Sequence, residues 1–164
     1  MTYKKLKYQQ YLEMFPNCPS IEFKEIVRDA FRWINNPLIL NDFTPVNLIN
    51  EPPPRMLDDS DKMCVAFGLS MFDTLLNSKL KYQKEYNKRR PHLRDQFKQD
   101  KGGYIALVNL TQDDGVADQP NENNYGHFTF HEYSETSLVD KVSVFYYWHP
   151  TKFKFHKKSE NALI

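Results

Sequence analysis

The spacing of apolar residues changes at Gly102-Gly103. Before that point apolar positions recur every three or four residues; after it they alternate or run continuously. Over 20–36, Phe23, Ile26, Val27, Ala30, Phe31 and Ile34 fall at helical spacing. Ser20 can cap that helix, and Asn35-Asn36-Pro37 can end it. The region 37–57 holds five of the chain's ten prolines and reads as an extended wrap over the surface. The strongest predicted helix covers 61–80. Cys64, Phe67, Met71 and Leu75 form one stripe, and Val65, Leu69, Phe72, Leu76 and Leu80 an adjoining one. So wide an apolar face predicts burial against a sheet. The stretch 82–100 is polar and reads as helical, interrupted near Pro91.

Four strands are expected after the glycine pair. Tyr104–Leu110 is continuous and apolar. Tyr125–Tyr133 alternates, with His127, Thr129, His131 and Tyr133 on one face and Phe128, Phe130 and Glu132 on the other. Val142–Trp148 and Thr151–His156 complete the set, and 111–124 is a polar loop. The fold class is α+β, with helices first and an antiparallel sheet after them.

Length and composition narrow this picture. At 164 residues the chain is sized for a single domain spanning 1–164. Aromatic residues make up 15% of it, which argues against intrinsic disorder, and 5 glycines exclude Gly-rich linkers and collagen-like repeats. Two cysteines do not make a disulfide framework, so a reducing compartment is expected. The basic residues of 1–8 have no apolar run behind them. The expectation is therefore a cytoplasmic protein with no signal peptide, transit peptide or membrane span.

The candidate chemistry centres on Cys64, near the start of the helix predicted over 61–80. A thiol there meets the positive end of the helix dipole, which favours thiolate, although Asp58, Asp59 and Asp61 oppose it. A thiol nucleophile needs a base within hydrogen-bond reach and a group to orient that base. His127 and Asp140 can supply both if 125–133 and 142–148 form a hairpin through 132–135, which sets residue 127 opposite 140. Cys64 equally suits a small core position on an apolar stripe. Cys18, between Asn17 and Pro19, has neither helix nor base nearby. His127 and His131, four apart on a strand, lie roughly 13 Å from each other, too far to share one metal ion.

The stretches Met63-Cys64-Val65-Ala66-Phe67, Gly126-His127-Phe128-Thr129-Phe130 and Leu138-Val139-Asp140 resemble papain-like cysteine folds, most of all their transglutaminase-like branch. The resemblance covers about 60–148. It implies Cys64 as nucleophile, His127 as general base and Asp140 as orienting acid. The implied function is acyl transfer or hydrolysis at a peptide or protein amide through a thioester, with no cofactor, or that of an inactive relative of such an enzyme.

Charge is balanced overall, at 22 Lys and Arg against 21 Asp and Glu, but it is segregated. Residues 79–101 hold nine basic and three acidic residues, a net of +6; residues 102–140 hold seven acids and no Lys or Arg. Lys84, Lys88, Arg89, Arg90 and Arg94 can therefore follow phosphates, with Tyr82, Tyr86 and His92 available to stack. The Lys152–Lys158 run, alternating base and aromatic, can extend that surface. The alternative function is a non-enzymatic binding or accessory protein that contacts nucleic acid or an acidic protein through 79–101.

Overall fold

Eight strands form one antiparallel sheet in the computed structural model, which describes residues 4–149 and 154–158. In chain order the strands are β1 (Lys24–Glu25), β2 (Arg28–Ile34), β3 (Leu69–Phe72), β4 (Tyr104–Leu110), β5 (Gly115–Ala117), β6 (His127–Glu132), β7 (Val142–His149) and β8 (Lys154–Lys158). Their spatial order is β1-β5-β6-β3-β2-β4-β7-β8. The helices are α1 (Gln9–Leu12), α2 (Val46–Ile49), α3 (Pro54–Leu57), α4 (Ser60–Val65), α5 (Leu75–Lys88) and α6 (Arg94–Lys101). The class is α+β as the sequence predicts, but strands and helices are interleaved rather than segregated. None of the described helices is long and apolar enough to cross a membrane.

Two predicted helices are corrected. The segment 20–36 contains β1 and β2, and β2 pairs with β4 over seven residues, from Arg28↔Leu110 to Ile34↔Tyr104. Its apolar residues divide by strand parity: Ala30 and Ile34 join one core cluster, Phe31 and Trp33 the other. The segment 61–80 contains the end of α4, all of β3 and the start of α5. Leu69 and Met71 face one side of the sheet, while Ser70 and Phe72 face the other. The expected helical break near Pro91 is present between α5 and α6. The strands expected over 104–110, 125–133 and 142–148 correspond to β4, β6 and β7. Residues 151–153, where the last expected strand and the basic–aromatic run begin, lie outside the described residues.

An aromatic cluster fastens α5 and α6 to the sheet. Trp33 stacks on Phe72 at 5.3 Å and meets Tyr82 edge-on at 5.1 Å; Tyr82 meets Phe97 of α6 at 5.2 Å. Trp33 Nε1 donates to Ser78 Oγ of α5. At the start of α5, Thr74 Oγ1 accepts from the Asn77 amide, an N-cap. The opposite face of the sheet carries Ala30, Ile34, Leu69, Met71, Val108, Phe128 and Phe130, with Leu38, Phe43 and Leu138 packed against it.

The turn from α6 into β4 requires glycine. Gly102 has φ 77°, and a Cβ there would lie 1.9 Å from the Ile34 carbonyl oxygen. The same residue's carbonyl accepts from the buried Tyr82 hydroxyl at 2.7 Å. Tyr82→Phe is expected to destabilise the protein by about 1 kcal/mol, measured by urea unfolding, because it leaves that carbonyl without its phenol donor.

Candidate functional site

β2 and β3 share one register pair, Phe31↔Phe72, and the ladder between them goes no further. Arg32 occupies the gap. Its Nη1 donates to the Ser70 carbonyl at 2.7 Å and its Nε to the Asp42 carbonyl at 2.5 Å. Both acceptors are neutral, so the guanidinium keeps its charge, and among the described residues nothing accepts from Nη2. Burial lowers its pKa to about 10, with nearby Asp42 opposing that shift, so it remains a cation at neutral pH. Asp42 is itself saturated: Oδ1 accepts from the Asn35 backbone and side chain, and Oδ2 from the Ile39 amide.

Arg32 lines a cleft of about 860 Å³. Trp33, Ser70, Phe72, His127 and Thr129 contribute from the sheet; Ile39, Val46, Ile49, Met56 and Val65 form an apolar wall; Gln99, Asp100 and Lys101 bound the other side. This volume lies in the usual range for small-molecule sites. Gly68 keeps the sheet side low, since a Cβ there would lie 2.4 Å from Thr129 Cγ2.

Ser70 and His127 meet within the cleft. The register pairs Ser70 with Thr129 and Phe72 with His127, which places the serine and the imidazole on one face of adjacent strands. Ser70 Oγ and His127 Nε2 are hydrogen-bonded. Burial, with the fields of Lys81 and Arg32, lowers the His127 pKa, so the ring is neutral at pH 7. Four residues further along β6, on the same face, His131 is buried against Phe23 at 5.2 Å, and its Nε2 has no hydrogen-bond partner.

The predicted thiol site is not assembled. Cys64 lies on α4, bonded to Cys18 with their Cα atoms 5.7 Å apart. Its sulfur is thus not the free thiolate a nucleophile requires, and the expectation of two reduced cysteines is corrected with it. Asp140 is exposed in a 3-10 turn over Leu138–Lys141. The hairpin that would set it opposite His127 does not form: β6 pairs with β3 and β5, and β7 with β4 and β8. His127 lies in the cleft, but its neighbour is Ser70.

The predicted basic surface is gathered along α5 and α6, with much of it engaged internally. Arg89 lies over Phe97, Arg94 over Tyr86 and Lys84 over Tyr125, while Lys88 pairs with Glu85. Arg90 is exposed between the two helices.

Sequence reasoning missed Ser70 and Arg32 as site residues because both fell inside predicted helices. Two signals were available. Gly68 is a helix breaker, and Leu69-Ser70-Met71 alternates. The chain matches no protein-family model, no curated protein and no solved structure.

Proposed function

We propose that the protein is a binding protein that seats a small amphiphilic carboxylate in the cleft between the sheet and its helices. The observation that carries this reading is the Arg32 guanidinium, fixed by two backbone carbonyls and with Nη2 unclaimed among the described residues. Guanidinium recognises carboxylate through a planar pair of N–H donors, and a charge-assisted bond of this kind outweighs a neutral one. The apolar wall of Ile39, Val46, Ile49 and Val65 suits a hydrocarbon body. The Cys18–Cys64 bond supports an oxidising working environment for the protein.

Decanoate and decanol test this reading by titration calorimetry. Decanoate should bind about tenfold or more tightly, since the two share a chain length and differ in the charged group. Val46→Trp, at an exposed position on the cleft wall, should weaken both ligands by filling the space. Equal affinity for the two ligands, or none for either, would overturn the reading.

A second reading is favoured by the exposure of Lys84, Lys88 and Arg90 along one stretch of α5 and the turn after it. In that reading the surface contacts nucleic acid or an acidic protein. Retention of RNA or DNA at low salt should then fall steeply as salt rises, through loss of counterion release. Arg89→Glu with Arg90→Glu should weaken binding to all nucleic-acid sequences alike. A protein retaining no nucleic acid at low salt would exclude that partner.

A further inference from the structure

We propose that Ser70 and His127 form an acyl-transfer pair within the cleft, acting on esters of apolar carboxylic acids. This inference rests on the reading of the cleft as a carboxylate site and adds the reaction that would generate the carboxylate there. Three observations converge on it. Ser70 is exposed, and its Oγ is hydrogen-bonded to His127 Nε2. Both residues line the cleft, beside an apolar wall able to take an acyl chain. Arg32 donates to the Ser70 carbonyl, which holds a positive charge next to the serine, and its field reaches His127.

The chemistry closes on water alone. Ser70 Oγ attacks the ester carbonyl while His127 Nε2 takes the hydroxyl proton, and a C–O bond forms. The tetrahedral oxyanion develops in the field of the Arg32 cation. The bond to the leaving alcohol then breaks, and His127 returns its proton to the departing oxygen. Water next attacks the acyl-serine, again giving a proton to His127. The acid departs from Ser70 Oγ, which takes that proton back. The sum is ester plus water to carboxylic acid plus alcohol, and the acid ionises to the carboxylate that Arg32 would hold.

Among the described residues no carboxylate hydrogen-bonds the His127 ring, so the pair lacks the orienting acid of a full triad. Acylation is therefore expected to be readily seen as a single burst, with slow turnover after it.

The test uses p-nitrophenyl acetate and p-nitrophenyl decanoate on the full chain, read by nitrophenolate release, intact mass and peptide mapping. An acyl adduct on Ser70 is expected, forming faster from the decanoyl ester. Ser70→Ala should abolish that adduct. His127→Gln should slow it roughly 100-fold or more, the usual contribution of a general base. The rate should rise with pH to a plateau, with a midpoint below 6.5, as His127 loses its proton. Circular dichroism would confirm that both variants fold, and His127→Asn gives a second substitution should the glutamine variant not fold. Adducts confined to lysines, none at all, or a Ser70 adduct formed equally fast without His127 would overturn the proposal. Decanoate binding to the same wild-type preparation separates the two readings. Binding without acylation leaves the cleft a carboxylate site and removes the catalytic pair. Acylation without decanoate binding does the reverse.

Discussion

Replacing Cys18 and Cys64 together by serine is expected to lower stability by about 4 kcal/mol, the loop-closure value for cysteines 46 residues apart. Reduction of the wild-type protein should have a similar effect. The bond joins the segment after α1 to α4, and Cys18 packs beside the cluster of Leu6, Leu12, Met63 and Phe67. Tyr11 stacks on Phe67 at 5.2 Å in that cluster, so apolar contacts also hold the two segments together. The variant should therefore still fold, with a lower urea midpoint. At a slope of about 2 kcal/mol per molar urea the shift is about 2 M. Because α4 carries Asp61, Lys62 and Val65 to the edge of the cleft, decanoate affinity should fall as well. Urea unfolding with and without dithiothreitol measures the first effect, and calorimetry the second. Two titratable thiols in the folded, unreduced protein would show that the bond is absent.

The same bond shows where sequence reading stops. Cys18 and Cys64 lie in segments whose approach depends on how the N-terminal residues fold over α4, and neither spacing nor composition encodes that contact. Strand character after Gly103 was legible because β4, β6 and β7 carry β-branched and aromatic residues in runs or alternation that fit no helix face. Before Gly103 the pattern was ambiguous. Ala30 and Ile34, four apart, fit one stripe of a helix and one face of a strand alike, and the outcome was set by pairing of β2 with β4, from Arg28↔Leu110 to Ile34↔Tyr104, far apart in sequence. In 61–80, three short elements each carry apolar residues, and their sum imitates one long amphipathic helix. Gly68, and Thr74 as an N-cap, marked the true breaks.

The site follows the same division. His127 was legible as a candidate because a polar aromatic at the start of an apolar strand is conspicuous. Its partner was not, since pairing β6 with β3 rather than with β7 is a property of the whole sheet. That pairing gives the imidazole Ser70 in place of Asp140. Arg32 was hidden for a related reason: its role arises from the opening between β2 and β3, a departure from regular pairing that no local pattern marks.

His131 gives the second large effect. Burial pushes its pKa down to about 4, from an ordinary value of 6.5. The ring is packed against Phe23 and near Gly68 and Thr129, with Nε2 unpaired, so protonation would place a cation among groups that do not compensate it. The unfolded chain gains that proton below pH 6.5, while the folded protein resists it until about pH 4. This contribution to stability is present above pH 6.5 and is lost as pH falls between those values, amounting to about 3 kcal/mol. The adjacent Glu132 acts in the opposite direction. Its carboxyl is buried, and desolvation raises its pKa despite the ion pair with Lys7, so protonation in mild acid relieves part of its burial penalty. Total acid stability is therefore a poor measure of either residue, and a paired comparison isolates one of them. His131→Gln places a neutral amide at the same position and should be less stable than wild type at pH 7 through lost packing on Phe23. Urea unfolding of both proteins from pH 7 to pH 4 should show the wild type losing about 3 kcal/mol more than the variant, since only the wild type carries the imidazole term. Stability curves that stay parallel across that range would mean that His131 takes up its proton in the folded state as readily as in the unfolded one.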